Sequence, residues 1–182
     1  MKLGPEAAGF DDIDLHILTV LQENCKLPLA KVGEKVGLSA PSVIDRIKKL
    51  EDNGVIIGYR AIVNARQLGK DVTAFIGVLI NHPKLIGDFE RNIVQLEDVL
   101  ECHHVTGQHT LLLKVKTRNT SSLEELISTI RSIEGVERTE TMVVLSTHTE
   151  RTRIAMHFDA MAPKRPRRVA DKEAVALKEL PT

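Results

Sequence analysis

Aromatic residues are scarce in this chain: they make up 3% of it, with no tryptophan and a single tyrosine. A platform of stacked rings for single-stranded nucleic acid is hard to build from so few. Cysteine is equally rare. Cys25 and Cys102 stand far apart in sequence, so a disulfide framework is not expected and a reducing cytoplasm is the expected compartment. No apolar run nears the ~20 residues that span a bilayer. The start, MKLGPEAAGFDD, places no basic stretch before an apolar one, and a secretion signal is not expected. Net charge is lacking too, because 25 Lys and Arg offset 25 Asp and Glu. What is present is 182 residues, 42% hydrophobic and 27% charged. That suffices for one domain or two small ones with real cores, and is unlike a wholly disordered or fibrous chain.

The zero sum hides an uneven distribution, which is what a nucleic acid would meet. Lys26, Lys31, Lys35, Arg46, Lys48 and Lys49 share one window with only two acids, Glu34 and Asp45. Acids gather instead at Asp11, Asp12 and Asp14, and a second basic run, PKRPRR, occupies Pro163–Arg168.

Residues 1–10 show no periodicity and are expected to be flexible. A helix is predicted from the aspartates, capped by Asp11 or Asp12, with Ile13, Ile17, Val20 and Leu21 as its apolar stripe. Pro28 opens a short second helix with Leu29, Val32 and Val36 on one face, ended by Gly37 in a left-handed conformation. Ser39 then reads as the cap of a third helix, with Pro41 in its first turn and Val43, Ile47 and Leu50 inside. Gly54 closes it. A short helix, a glycine turn and a longer helix with a basic face form the layout of a helix-turn-helix over Leu29 to Lys48. The run VIIGYRAIVN around Gly58 is β-prone and reads as a wing or a linking strand.

The second half alternates differently. Strands are predicted over residues 72–81, 99–106, 110–117 and 136–147. Helices are predicted from Pro83 (Ile86, Phe89 and Ile93 inside) and from a Ser121 or Ser122 cap (Leu123, Leu126, Ile127, Ile130 and Ile133 inside). The order βαββαβ is the ferredoxin-like pattern, with two helices covering one face of a four-stranded antiparallel sheet. In the first strand Ala74, Ile76, Val78 and Ile80 fall on one face, and Phe75, Gly77 and Leu79 on the other. Both faces look apolar, so the uncovered one is expected to meet another subunit. The expected fold class is therefore α+β: a winged helix-turn-helix over 11–57, a link over 58–70, the ferredoxin-like domain over 71–150, and a basic, flexible tail over 151–182.

The stretches DDIDLHIL, LPLAKVGEKVGLSAPSVIDRIKKLEDNGVIIGY, VTGQHTLLLKV and VERTETMVVL resemble the Lrp/AsnC, or feast/famine, family of transcription regulators. The likeness runs from about Asp11 to Thr149 and is most specific over Leu38–Tyr59. It implies a DNA-binding winged helix-turn-helix and a ligand-sensing ferredoxin-like (RAM) module. It also implies homodimers that pair through their sheets and often assemble into rings of eight, with amino acids as the usual effectors.

On this reading Ser39, Pro41, Ser42, Asp45, Arg46 and Lys49 face double-stranded DNA. Short polar groups near a recognition helix's start approach the groove floor and phosphates, and longer cations lie further along. Arg46 has the reach for a guanine or a phosphate, or pairs instead with Asp45 or Glu51. The effector is expected at Thr106, Gly107, Gln108, His109 and Thr110, where turn N–H groups can hold a carboxylate. The family usually carries an Asp where this chain has Thr110. Cys102, His103 and His104 alternate across a strand, so with His109 they do not converge on a metal. His16 and His82 read as surface or cap residues. No cofactor, metal or membrane partner is expected, and no catalytic residue. The alternatives are a siroheme decarboxylase-like enzyme, whose aromatic motif is replaced here by TLLLKV, and an architectural DNA-packing protein.

Overall fold

A computed structural model describes residues 10–156. They fall into two compact units, the residues up to Tyr59 together with those from Thr152, and Arg60–Arg151.

The first unit holds α1 (Asp12–Glu23), α2 (Leu29–Val36) and α3 (Ala40–Asp52). Asp11 caps α1 in a reciprocal box with Asp14, each side chain accepting from the other's amide. The core faces inward from all three helices: Leu15, Ile17 and Leu18, then Val32, then Val43, Ile47 and Leu50. The predicted α1 stripe is thus shifted. Ile17 is fully buried, but Leu15 and Leu18 take the inner positions, while Ile13, Val20 and Leu21 pack at the rim. Pro28 caps α2 from just outside it, and Gly37 follows at φ 73°, where a residue with a Cβ would be strained.

Residues 55–64 form no strand, although a wing or linking strand is predicted there. Their β propensity meets no neighbouring strand among the described residues, and Ile57, Ile62 and Val63 stand largely exposed.

The second unit is ferredoxin-like. It runs β1 (Val72–Ile80), a 3-10 turn and α4 (Ile86–Ile93), β2 (Val99–His104), β3 (Leu111–Thr117), α5 (Thr120–Arg131) and β4 (Val136–Val143). The antiparallel sheet has the order β2-β3-β1-β4. Ala74, Ile76 and Val78 pair with Val115, Leu113 and Leu111 and face both helices, meeting Phe89 and Ile93 of α4 and Leu123, Leu126 and Ile130 of α5. Each large aliphatic or aromatic side chain fully buried there contributes about 1.5–3 kcal/mol. Asn119, not a serine at 121 or 122, caps α5, in a box with Ser122. β4 ends at Val143, four residues before the predicted end, because pairing with β1 stops at Ala74–Val143.

The other sheet face carries Phe75 and Leu79 of β1 with Leu112 and Met142 beside them. It is less apolar than β1 alone suggests, because Glu101, Lys114, Lys116, Arg138 and Glu140 share it. Lys114 pairs with Glu101 and Glu150, so it titrates above its usual range, chiefly through Glu150. Of the expected tail, 151–156 form no helix or strand, and 152–156 belong with the first unit. There the Gln22 side chain bonds the Ile154 main chain, and Met156 packs against the three-helix core. The PKRPRR run lies outside the described residues, as do residues 1–9 of the start expected to be flexible over 1–10, whereas Phe10 packs against the three-helix core.

Candidate nucleic-acid interface and effector turn

Ser39 holds an extended backbone at the start of α3. Its Oγ accepts from the Ser42 amide at 3.4 Å and lies 2.9 Å from the Ser42 hydroxyl. Pro41 sits where a missing N–H costs nothing. With Val43, Ile47 and Leu50 inside, the helical period leaves Pro41, Ile44, Asp45, Lys48 and Lys49 exposed, with Ser42 at the margin. Lys48 and Lys49 make no ion pair among the described residues. The sequence reading of this face omits Ile44, which is 48% exposed, and Lys48. Projecting the core stripe onto a helical wheel is the signal that finds both.

Arg46 is oriented otherwise. It stands at the edge of the stripe and reaches back to the start of α1. Its Nη1 donates to both Asp11 carboxylate oxygens at 2.8 and 2.9 Å and to Asp14 Oδ1 at 2.7 Å. Asp14 is nearly fully buried. Its partners are thus neither Asp45, which is exposed, nor Glu51, which accepts from the Tyr59 hydroxyl at 2.9 Å. The Asp14 hydrogen bond is the main reason that the Arg46 pKa rises. Partial burial pushes the Asp11 carboxyl up, but the Asp14 amide and Arg46 outweigh it and hold it below its ordinary value. Burial, then Glu51, push the Tyr59 phenol up to about 12.

The turn between β2 and β3 is closed by the Val105 amide donating to the Thr110 carbonyl at 3.1 Å. Gly107 has φ 119°, and Thr106, Gly107 and Gln108 form an exposed tip. Thr110 is committed to the sheet: its amide donates to the Val78 carbonyl at 2.8 Å, and its Oγ1 accepts from the Ile80 amide at 3.1 Å. His109 lies against β1, so close that a Cβ on Gly77 would stand 2.5 Å from its ring. Its Nε2 is 3.4 Å from Glu140 Oε2 on β4. The structure thus joins Gly77 and Glu140 to the turn. Neither is legible from the turn's own sequence, because both arrive through strand pairing.

Gly77→Ala is expected to displace the His109 ring and to cost about 1–3 kcal/mol by overpacking. Shifted His109 ring resonances and a lower melting temperature would show it; unchanged values of both would contradict the contact.

Cys102 faces the helices, and burial pushes its thiol up. His103, on the open face, meets Glu101 at 3.2 Å. Among the described residues no group of His, Cys, Asp or Glu could hold a metal ion, and no helix is long and apolar enough to cross a membrane. A cavity of about 480 Å³ opens elsewhere, between the C-terminal ends of α4 and α5, lined by Asn92, Gln95, Leu96, Thr129 and Ile133 among others.

Residues 10–51 match the model of the AsnC-type helix-turn-helix domain, and residues 73–154 that of the Lrp/AsnC ligand binding domain. The HTH-type transcriptional regulator FL11 of Pyrococcus abyssi is 38% identical over 146 residues, covering 80% of this chain and 96% of its own. The chain belongs to the Lrp/AsnC family of transcription regulators.

Solved Lrp/AsnC-type structures agree with the fold. Escherichia coli AsnC superposes with a TM-score of 0.74 at 31% identity, over 79% of this chain and 97% of that one. A transcriptional regulator from Neisseria meningitidis, solved in complex with L-methionine, gives 0.77 at 29% identity, over 80% and 96%. In this Lrp/AsnC chain the helix-turn-helix match lies within the first unit, and the ligand-binding match covers most of the second and runs on into residues 152–154 of the first.

Proposed function

We propose that this Lrp/AsnC regulator reads double-stranded DNA with the outer face of α3 and responds to an amino acid or a related small metabolite through the 106–110 turn. The observation that carries the DNA reading is the face itself. Ser39, Pro41 and Ser42 mark its start, Ile44 and Asp45 its middle, and Lys48 and Lys49, without an ion pair among the described residues, its end. Small groups can approach base edges, Ile44 offers an apolar contact for a thymine methyl, and the lysines neutralise phosphates. Arg46 acts as a positioning residue, setting α3 against α1.

The N. meningitidis relative's L-methionine supports an amino-acid effector. Turn N–H groups and the Thr106 hydroxyl suit a carboxylate. Thr110 cannot hold an ammonium group as an Asp would. Glu140, beside His109, supplies a carboxylate on the same sheet face. The half-apolar open face and the exposed Ile57, Ile62 and Val63 support a homodimer, and the family assembly an octamer. Cytoplasmic residence fits this role.

The test is a Lys48→Ala, Lys49→Ala double variant in the full chain, with an operator selected from a random duplex pool. Binding should weaken at least tenfold on all duplexes, and the slope of log K against log salt should flatten by about 2, or 0.9 per lost phosphate contact. The melting temperature should hold. Parental affinity and slope would refute this face.

A further inference from the structure

Asp45 is an acid on the face of α3 that otherwise carries cations. It stands exposed in the N-terminal half of the helix, beside the exposed Ile44. Lys48 and Lys49 follow it at i+3 and i+4, the spacing at which an acid ahead of a lysine closes an ion pair. Neither pair is closed: the Asp45 carboxylate meets no cation and no hydrogen-bond donor among the described residues. Arg46, next in the chain, is committed to Asp11 and Asp14. Capping falls to Ser39. Among the described residues, then, the fold makes no use of this carboxylate. Against a duplex it is repelled by the phosphates and by the acceptors that line most base edges. One base edge suits it. Cytosine presents only its N4 amino donor in the major groove. Adenine sets its donor beside the N7 acceptor, guanine presents two acceptors, and thymine an acceptor and a methyl group.

We propose that Asp45 fixes a cytosine in the operator by accepting from its N4 amino group, and that Ile44 packs on the methyl group of a thymine at a neighbouring base pair. The proposal rests on the reading of α3 as the DNA-facing helix. The placement of the two residues supports it. At about 100° per residue, a helix that turns Val43, Ile47 and Leu50 inward sends Ile44 and Asp45 to either side of the line through Pro41 and Lys48. Both precede Lys48 and Lys49, and the N-terminal part of a recognition helix is the part that reaches base edges. A charge that every phosphate repels and one base answers weakens binding to all other sequences. It therefore contributes more to selectivity than to affinity.

The test compares the full chain with its Asp45→Asn variant, an isosteric change that removes the charge. Each selects its own set from random duplexes. Each is then titrated by fluorescence anisotropy against the parent's selected operator and an unrelated duplex of equal length. The two duplexes should respond with opposite sign. Operator affinity should fall about tenfold, as for the loss of one good base contact. Affinity for the unrelated duplex should rise about twofold as the repulsion is relieved. A C·G pair fixed in the parent's set should become degenerate in the variant's set or turn to A·T, because an asparagine amide matches adenine. Deoxyuridine in place of a thymidine beside that cytosine removes only a methyl group and leaves the protein untouched. It should weaken the parent about fourfold and leave Ile44→Ala unaffected. Equal gains on both duplexes in Asp45→Asn would make Asp45 a solvated acid and overturn the proposal while leaving the lysines of α3 as phosphate contacts. A parent that selects no common sequence would overturn it as well, and one indifferent to deoxyuridine at every position would overturn the part given to Ile44. A parent that binds no duplex at all would refute the DNA-facing reading of α3 and this assignment with it.

Discussion

Gly33→Ala is expected to destabilise the helix-turn-helix unit by about 3 kcal/mol. An alanine inside a helix normally gains about 1 kcal/mol over glycine, so the sign has to be decided by space. A Cβ on Gly33 would stand 2.3 Å from the Leu38 carbonyl oxygen. That oxygen is main chain, and the Leu38 amide is itself tied to the Gly33 carbonyl at 3.0 Å. No rotamer change can relieve the clash; the turn between α2 and α3 has to move, and with it the cap at Ser39. A 3 kcal/mol loss lowers the melting temperature of a unit this size by roughly 15 °C. Calorimetry should show an earlier transition for this unit, with operator binding lost above it. A variant as stable as the parent would refute the packing of the turn.

Arg46→Ala is expected to cost about 2–3 kcal/mol, because it leaves the buried Asp14 carboxylate without its cation. The figure is held below the cost of breaking a fully buried pair because the Arg46 side chain is 30% exposed. DNA binding should fall through loss of the folded unit, in contrast to the Lys48 and Lys49 variants, which should lose affinity at unchanged stability. The pH dependence separates the two roles further. The Asp11 carboxyl titrates below its ordinary value in the folded state, so in mild acid the folded unit binds fewer protons than the unfolded chain. Its stabilisation is complete above the unfolded value near 4 and is lost as pH falls through the folded one. Arg46→Ala should flatten that acid limb. Parental stability combined with weakened DNA binding would make Arg46 a DNA contact instead.

What could be read from the sequence follows the range of each signal. The Ser39 cap, the Val43, Ile47 and Leu50 stripe and the βαββαβ order rest on neighbours within a turn or on a strand's alternation, and all stand in the structure. The Arg46 pairing joins residues 35 and 32 positions apart, beyond the reach of periodicity. The same holds for Thr110 on the Ile80 amide and for the His109 ring over Gly77. The 55–64 run shows the converse error. Its residues favour a strand, but a strand needs a partner, and none stands beside it among the described residues. At α5, serines at 121 and 122 suggested the cap, but Asn119 precedes them and takes the Ser122 amide at 2.9 Å.

The packing of Met156 against the three-helix core bears on the order of events on the ribosome. Synthesis runs from the N-terminus, so α1 to α3 emerge first and wait while the whole sensing unit is made. At usual elongation rates of about 5–20 residues per second, roughly 5–20 s separate Tyr59 from Met156. Through that interval these helices exist without Met156 against their core and with the Gln22 amide unanswered by Ile154. A nascent or prematurely terminated chain therefore carries α3 on a weaker scaffold than the finished protein. Only a chain translated past the second unit completes the helix-turn-helix unit.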